Sequence, residues 1–214
     1  GLKGSSIWSI TEDEEGSLWF SIYTVGLAKY DGKSFTHYNV SNGLVSNNIR
    51  KVYYSKRKKC LVIASENGVG VYDKRTFKSF HKQDSVNKFQ IVDIQEFGNR
   101  ILVTSRFHGV YELKIGKGVQ SAKLDSLFNT GIAFASYFEK NQLFIKNEDS
   151  LSIYSLNENL KVKKILNSSY PTNNTWNYAS DGKGAIYMAT WDVIKPTGGL
   201  LKYENGKIWD LNQQ

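Results

Sequence analysis

Cysteine is nearly missing from this chain. Cys60 is the only one in 214 residues, which rules out an intrachain disulfide and any cluster of cysteine metal ligands. Proline is almost as scarce, with two residues, and histidine stops at three. His37, His81 and His108 fall on different predicted elements and share no metal-ligand spacing. No apolar run approaches a membrane-spanning length, and no secretory leader pattern is present. Apolar residues at helical spacing are not sustained over any eleven-residue window, so no long amphipathic helix is predicted. The chain contains no phosphate-binding glycine loop, no His-Glu-x-x-His pair and no Gly-x-Ser-x-Gly elbow. The acidic run Glu12 to Glu15 lacks the alternating oxygen ligands and distal glutamate of a calcium loop, and reads as a solvated turn. No metal and no cofactor are expected.

Aromatic residues, by contrast, are abundant: 13 Tyr, 11 Phe and 5 Trp. They favour pleated, half-buried strands. The formal charge of +8 suits an anionic partner, and it also serves simply to keep a domain dispersed. The densest basic run, Lys56-Arg57-Lys58-Lys59, sits where a turn between two strands should fall, and no nucleic-acid partner is expected of it.

One phrase recurs along the chain. Ile7-Trp8-Ser9-Ile10 is answered by Ile49-Arg50-Lys51-Val52, Ile91-Val92-Asp93-Ile94, Ile132-Ala133-Phe134-Ala135 and Thr175-Trp176-Asn177-Tyr178, at intervals of 42, 42, 41 and 43 residues. A second phrase keeps the same beat, from Gly26-Leu27-Ala28-Lys29-Tyr30 through Gly68-Val69-Gly70-Val71-Tyr72 to Gly199-Leu200-Leu201-Lys202-Tyr203. A period of about 40–45 residues with four strands per unit belongs to β-propeller blades. The expected fold is therefore all-β, a β-propeller with five four-stranded antiparallel blades. They run about 5–42, 47–84, 89–124, 130–166 and 173–211, in a single propeller domain or propeller segment over 1–214. Gly1-Leu2 matches Gly43-Leu44, and the chain stops about where the next such pair would come, so a segment of a longer protein is expected.

In the first unit the strands are expected at 7–11, 17–22, 27–30 and 34–39, with Gly and Asp turns between them. Strand two is nearly continuous in apolar residues, as in Leu61-Val62-Ile63 and Ile101-Leu102-Val103, which is how a strand covered on both faces reads. The aromatics Trp19, Phe20, Phe35, Tyr38, Phe77 and Phe80 are accordingly assigned to packing between blades.

The first unit also carries Gly16-Ser17-Leu18-Trp19-Phe20, Gly26-Leu27-Ala28-Lys29-Tyr30-Asp31-Gly32 and Gly43-Leu44-Val45-Ser46-Asn47-Asn48-Ile49. This resembles the two-component regulator propeller repeat, closely in unit one and partially in the others. The resemblance implies a periplasmic sensor part of a membrane-bound histidine kinase, of the kind that detects oligosaccharides in polysaccharide-degrading, Bacteroides-like bacteria. It also implies a propeller that closes with seven blades. Units three and four depart from the pattern in lacking the strand-two tryptophan.

In a propeller, the loops joining strands two and three share a face with those leading to the next blade. The residues that follow strand two form the column Tyr23, Glu66, Arg106, Glu148 and Trp191, with Phe107 and His108 alongside. The loop from Trp191 to Thr197 is longer than its unit-one counterpart and carries Asp192, Lys195 and Pro196. Insertions on one face of a repeat array mark a binding face. Aromatic rings beside charged groups suit a sugar, so Tyr23, Glu66, Arg106, Phe107, His108, Trp191, Asp192 and Lys195 form the candidate ligand site. The expected function is non-catalytic sensing of an oligosaccharide or other small ligand. The expected partners are further blades or domains of the parent chain and a possible homodimer, with the membrane reached only through that parent. The alternatives are a scaffold for protein–protein interaction and a glycan-active propeller enzyme, which would need converging carboxylates or a Tyr/His base.

Overall fold

The computed structural model describes residues 1–4, 6–81, 88–147, 150–169, 174–191 and 199–213. Among these, every regular element is a strand except two single-turn 3-10 helices, at Val40–Asn42 and Leu211–Gln213. The twenty strands form five antiparallel four-stranded sheets, each a simple meander. Sheet one holds β1 (Ile7–Glu12), β2 (Leu18–Ile22), β3 (Gly26–Tyr30) and β4 (Phe35–Tyr38). Sheet two holds β5 (Ile49–Ser55), β6 (Cys60–Ser65), β7 (Gly68–Tyr72) and β8 (Phe77–Phe80). Sheet three holds β9 (Ile91–Phe97), β10 (Arg100–Ser105), β11 (Gly109–Gly116) and β12 (Gly118–Phe128). Sheet four holds β13 (Ala133–Glu139), β14 (Gln142–Asn147), β15 (Ser150–Leu156) and β16 (Val162–Ser169). Sheet five holds β17 (Asn174–Ser180), β18 (Ile186–Trp191), β19 (Gly199–Glu204) and β20 (Lys207–Asp210). These are propeller blades, and they fall into two compact units, residues 1–129 with three blades and 130–214 with two.

Within the first unit the blades stack face to face. Along β6, Leu61 and Ile63 join Trp19, Leu27, Leu44, Ile49, Val52, Tyr54 and Tyr72 in the core between sheets one and two. The alternate residues Cys60, Val62 and Ala64 join Phe89, Ile91, Ile94, Ile101 and Val103 in the core between sheets two and three. A strand buried on both sides needs apolar residues at odd and even positions alike, hence its continuous run. Each fully buried Val, Leu, Ile or Phe among them contributes about 1.5–3 kcal/mol by leaving water. Hydroxyls tie the first strands together: the Val52 N–H donates to Ser9 Oγ at 2.7 Å and the Tyr54 N–H to Thr11 Oγ1 at 3.2 Å. In the second unit Phe144, Leu151, Ile153, Tyr178, Ile186, Met188, Leu201 and Tyr203 make the core.

One irregularity recurs in all five sheets. The pairing of the first strand with the second slips by one residue, and the extra residue of the bulge is Trp8, Arg50, Val92, Phe134 or Trp176 in turn. These bulge residues are spaced by 42 throughout. The fourth phrase therefore begins at Ala133 and not at Ile132: Ala133 is 0% exposed like Ile49 and Ile91, whereas Ile132 is 40% exposed. Apolar character drew the sequence alignment to the isoleucine, but the pleat places the smaller alanine inward.

Candidate functional site

The loop after strand two is pinned in the same way in each blade of the first unit. The backbone N–H of Tyr23 donates to the Ser6 carbonyl at 2.9 Å, that of Glu66 to Asn48 at 3.1 Å, and that of Arg106 to Gln90 at 2.8 Å. This bridge sets Tyr23, Glu66 and Arg106 beside the start of each first strand, where the bulge lies. A bulge turns its extra side chain out of the regular pleat and is common next to binding sites. Here it presents Trp8 and Arg50.

These side chains form a belt across the three blades. The Tyr23 hydroxyl donates to Glu66 Oε1 at 3.3 Å, and the Tyr23 ring stacks on Trp8 with centroids 4.7 Å apart and planes 7° from parallel. Asn48 Nδ2 donates to Glu66 Oε2 at 3.0 Å, and Arg50 Nη2 lies 3.5 Å from Glu66 Oε1. The Arg50 guanidinium is also 5.3 Å from the centre of the Trp8 ring, within cation–π range. With the Gln90 amide turned so that its oxygen faces Arg50, that oxygen accepts from Nη2 at 2.5 Å and from Nε at 2.8 Å. On the other side the guanidinium of Arg106 approaches the same amide, with Nη1 at 3.5 Å, and lies 5.3 Å from the Phe107 ring centre. Burial lowers the pKa of Arg50 from its ordinary value; Glu66 opposes this and the charge of Arg106 adds to it.

A cleft of about 510 Å³ is lined by Leu44, Val45, Asn67, His81, Lys88 and Phe89, among others. Asn67 and Phe89 are the chain neighbours of Glu66 and Gln90, while none of the belt residues themselves lines this cleft. Trp8 is 46% exposed, so part of its ring is open to solvent beside Tyr23 and Arg50.

Of the residues chosen from sequence, Tyr23, Glu66, Arg106 and Phe107 come together here. His108 is half-buried and meets the Phe89 ring edge-on at 5.6 Å. Trp191 closes β18 opposite Asn174. Its side chain, together with Glu148, Asp192 and Lys195, lies outside the described residues. Sequence reasoning passed over Trp8, Asn48, Arg50 and Gln90. The signal available was the second position of the repeated phrase, where a tryptophan and an arginine replace the aliphatic residue of Ile91-Val92.

Residues 1–24 match the model of the two component regulator propeller family. No curated protein sequence matches the chain. Among solved structures, the extracellular domain of the hybrid two component system BT3049 from B. thetaiotaomicron is similar over 100% of this chain and 34% of its own, at TM-score 0.68 and 22% identity. The extracellular domain of the hybrid two component system BT4673 from the same organism is similar over 98% of this chain and 28% of its own, at 0.66 and 20%. Virginiamycin B lyase from Staphylococcus aureus is similar over 96% of this chain and 69% of its own, at 0.68 and 13%. At these identities the likeness establishes the propeller fold, and the chain spans about a third of the length of the two extracellular domains.

Proposed function

We propose that this chain is a non-catalytic, ligand-sensing propeller segment of a two-component system, working outside the cytoplasm and taking an oligosaccharide as ligand. The observation that carries this reading is the belt of Trp8, Tyr23, Arg50, Glu66 and Arg106. It supplies a partly exposed indole for the C–H face of a sugar and several fixed polar groups for hydroxyls. Further support comes from the family match over residues 1–24 and the fold shared with extracellular domains of two-component systems. Transmission to a kinase falls to other domains of the parent chain, and the periplasm is the compartment that this reading assigns to the segment.

A thermal-shift panel of oligosaccharides tests it. A ligand that binds only the folded state raises the unfolding midpoint in proportion to the logarithm of its concentration. The expected outcome is such a rise with at least one oligosaccharide, abolished by Trp8→Ala. Cleavage of the sugar during the assay would move the assignment to a glycan-active enzyme, and a flat panel would overturn the sugar-sensing reading.

A further inference from the structure

We propose a second ligand site, at the outer edges of sheets one to three, that takes a hydroxylated ring bearing a carboxylate. It goes beyond the sensor reading and does not rest on it, since it shares no residue with the belt. A cleft of about 490 Å³ is lined by Tyr38 of β4, Tyr72 of β7, Phe77 of β8 and Gln120 of β12, together with Asn42 and Arg75. The strands β4, β8 and β12 are the last of their sheets, whereas the belt sits by the first. The three rings form one wall. Tyr72 and Phe77 stack with centroids 4.1 Å apart and planes 19° from parallel, and Tyr38 meets them at 5.7 and 5.9 Å. Behind this wall the buried Trp19 stacks on Tyr38 and meets Tyr72 edge-on, so the rings are held in place before any ligand arrives. A wall fixed in this way offers its surface to a ring at little ordering cost.

Arg75 is the one charged side chain in the lining of this cleft. Among the described residues none pairs with its guanidinium. The nearest carboxylate in sequence, Asp73, accepts instead from the backbone N–H groups of Arg75 at 3.1 Å and Thr76 at 3.0 Å. Lys78 adds positive charge at the margin, where its Nζ donates to the Gln120 carbonyl at 2.6 Å. Aromatic walls also attract cations, but here Arg75 repels them. A carboxylate, by contrast, matches the guanidinium fork in two bonds at once. The amides supply the rest. Asn42 spends its oxygen on the Asn39 N–H at 2.9 Å, and one end of the Gln120 amide bonds Thr76 Oγ1 at 3.1 Å. Among the described residues, the Asn42 nitrogen and the other end of the Gln120 amide have no partner. Ring hydroxyls both donate and accept, so they suit these two groups. A uronic acid and a hydroxyaryl acid share this chemistry, and the cleft has the volume of a small-ligand pocket.

The test is ligand-observed NMR titration of the chain with methyl glucuronide and para-hydroxybenzoate, each beside its neutral counterpart, methyl glucoside and para-hydroxybenzamide. At least one acid is expected to bind about tenfold or more tightly than its counterpart, with affinity that falls as salt is raised. Binding of the glucuronide alone assigns a sugar acid, binding of the benzoate alone an aryl acid, and binding of both the chemistry they share. Arg75→Gln should erase most of the preference for the acid, and Phe77→Leu should weaken acid and neutral forms alike. Each variant is judged at an unchanged circular dichroism spectrum, and if Phe77→Leu disturbs folding, Gln120→Ala takes its place. Equal binding of acid and neutral forms would overturn the carboxylate inference. A preference that survives in Arg75→Gln, or an affinity unchanged in the second variant, would overturn the assignment to this cleft. Binding of none of the four would overturn the site itself, and none of these outcomes bears on the belt.

Discussion

The Asp13 carboxylate accepts three hydrogen bonds: from the backbone N–H of Glu15 at 2.9 Å, from that of Ser17 at 3.0 Å, and from the Trp19 indole at 2.9 Å. It is 5% exposed, so the run Glu12 to Glu15 is not uniformly a solvated turn; its second residue is an internal brace. Burial alone would raise the Asp13 pKa, but the bonds from Trp19, Ser17 and Glu15 bring it below its ordinary value of 3.8. Asp13→Ala removes these bonds and leaves a buried indole N–H unpaired, so we expect a loss of about 2 kcal/mol at neutral pH in urea denaturation. Because the folded-state pKa is depressed, the stabilisation is present above pH 3.8 and is lost as pH falls through the folded value. The gap between wild type and variant should therefore narrow in acid; a gap that stays constant to low pH would contradict this role. Gly68 gives a second test at this scale. Its φ is 151°, and a Cβ there would drive into the carbonyl oxygen of Phe80. Gly26 and Gly109 meet Tyr38 and Phe128 in the same way, which is why glycine keeps the beat of the repeat. Gly68→Ala should cost about 3 kcal/mol from backbone strain and overpacking together, read from the denaturation midpoint. Gly70→Ala, where the nearest atoms are at 3.6 Å, should cost far less.

At the scale of elements, strand two and the bulge divide the work. Strand two supplies packing on both faces. Trp19 in β2 is 1% exposed, stacks on Tyr38 at 5.5 Å and meets Tyr72 of the next blade edge-on at 5.8 Å. Its removal empties the core between two sheets, so Trp19→Ala should cost about 3–5 kcal/mol. Trp8, on the bulge of β1, touches Tyr23 and Arg50 but stays half in water, so Trp8→Ala should cost about 1 kcal/mol or less. Parallel chemical denaturation of the two variants checks the contrast, and equal losses would mean that the bulge is a packing device. The continuous apolar runs of strand two are legible from residue types alone. The bulge is not, because it is a slip in pairing and one strand cannot show its partner's register. The one-residue misplacement of the fourth phrase, at Ile132 in place of Ala133, has the same cause.

For the molecule as a whole, Cys60 is a built-in reporter. It is 1% exposed in the core between sheets two and three, and burial pushes its thiol pKa up to about 12. The native chain should resist thiol reagents at mildly alkaline pH, because the reactive thiolate is not populated. Labelling should rise with denaturant at the midpoint at which the blades of residues 1–129 lose their circular dichroism. Labelling well before that midpoint would reveal a local opening of β6. The 42-residue period, the five four-stranded blades and the two-faced second strand were determined by the sequence itself. Burial and turn chemistry are properties of single residues repeated along a line, and a line is enough to carry a period. Only the tertiary structure decided which side chains meet. Tyr23 and Glu66 are 43 residues apart and touch because adjacent blades stack, and Arg50 joins them because a bulge turns it out of the pleat. Distances between blades and register slips arise from packing in three dimensions, to which a one-dimensional pattern is blind.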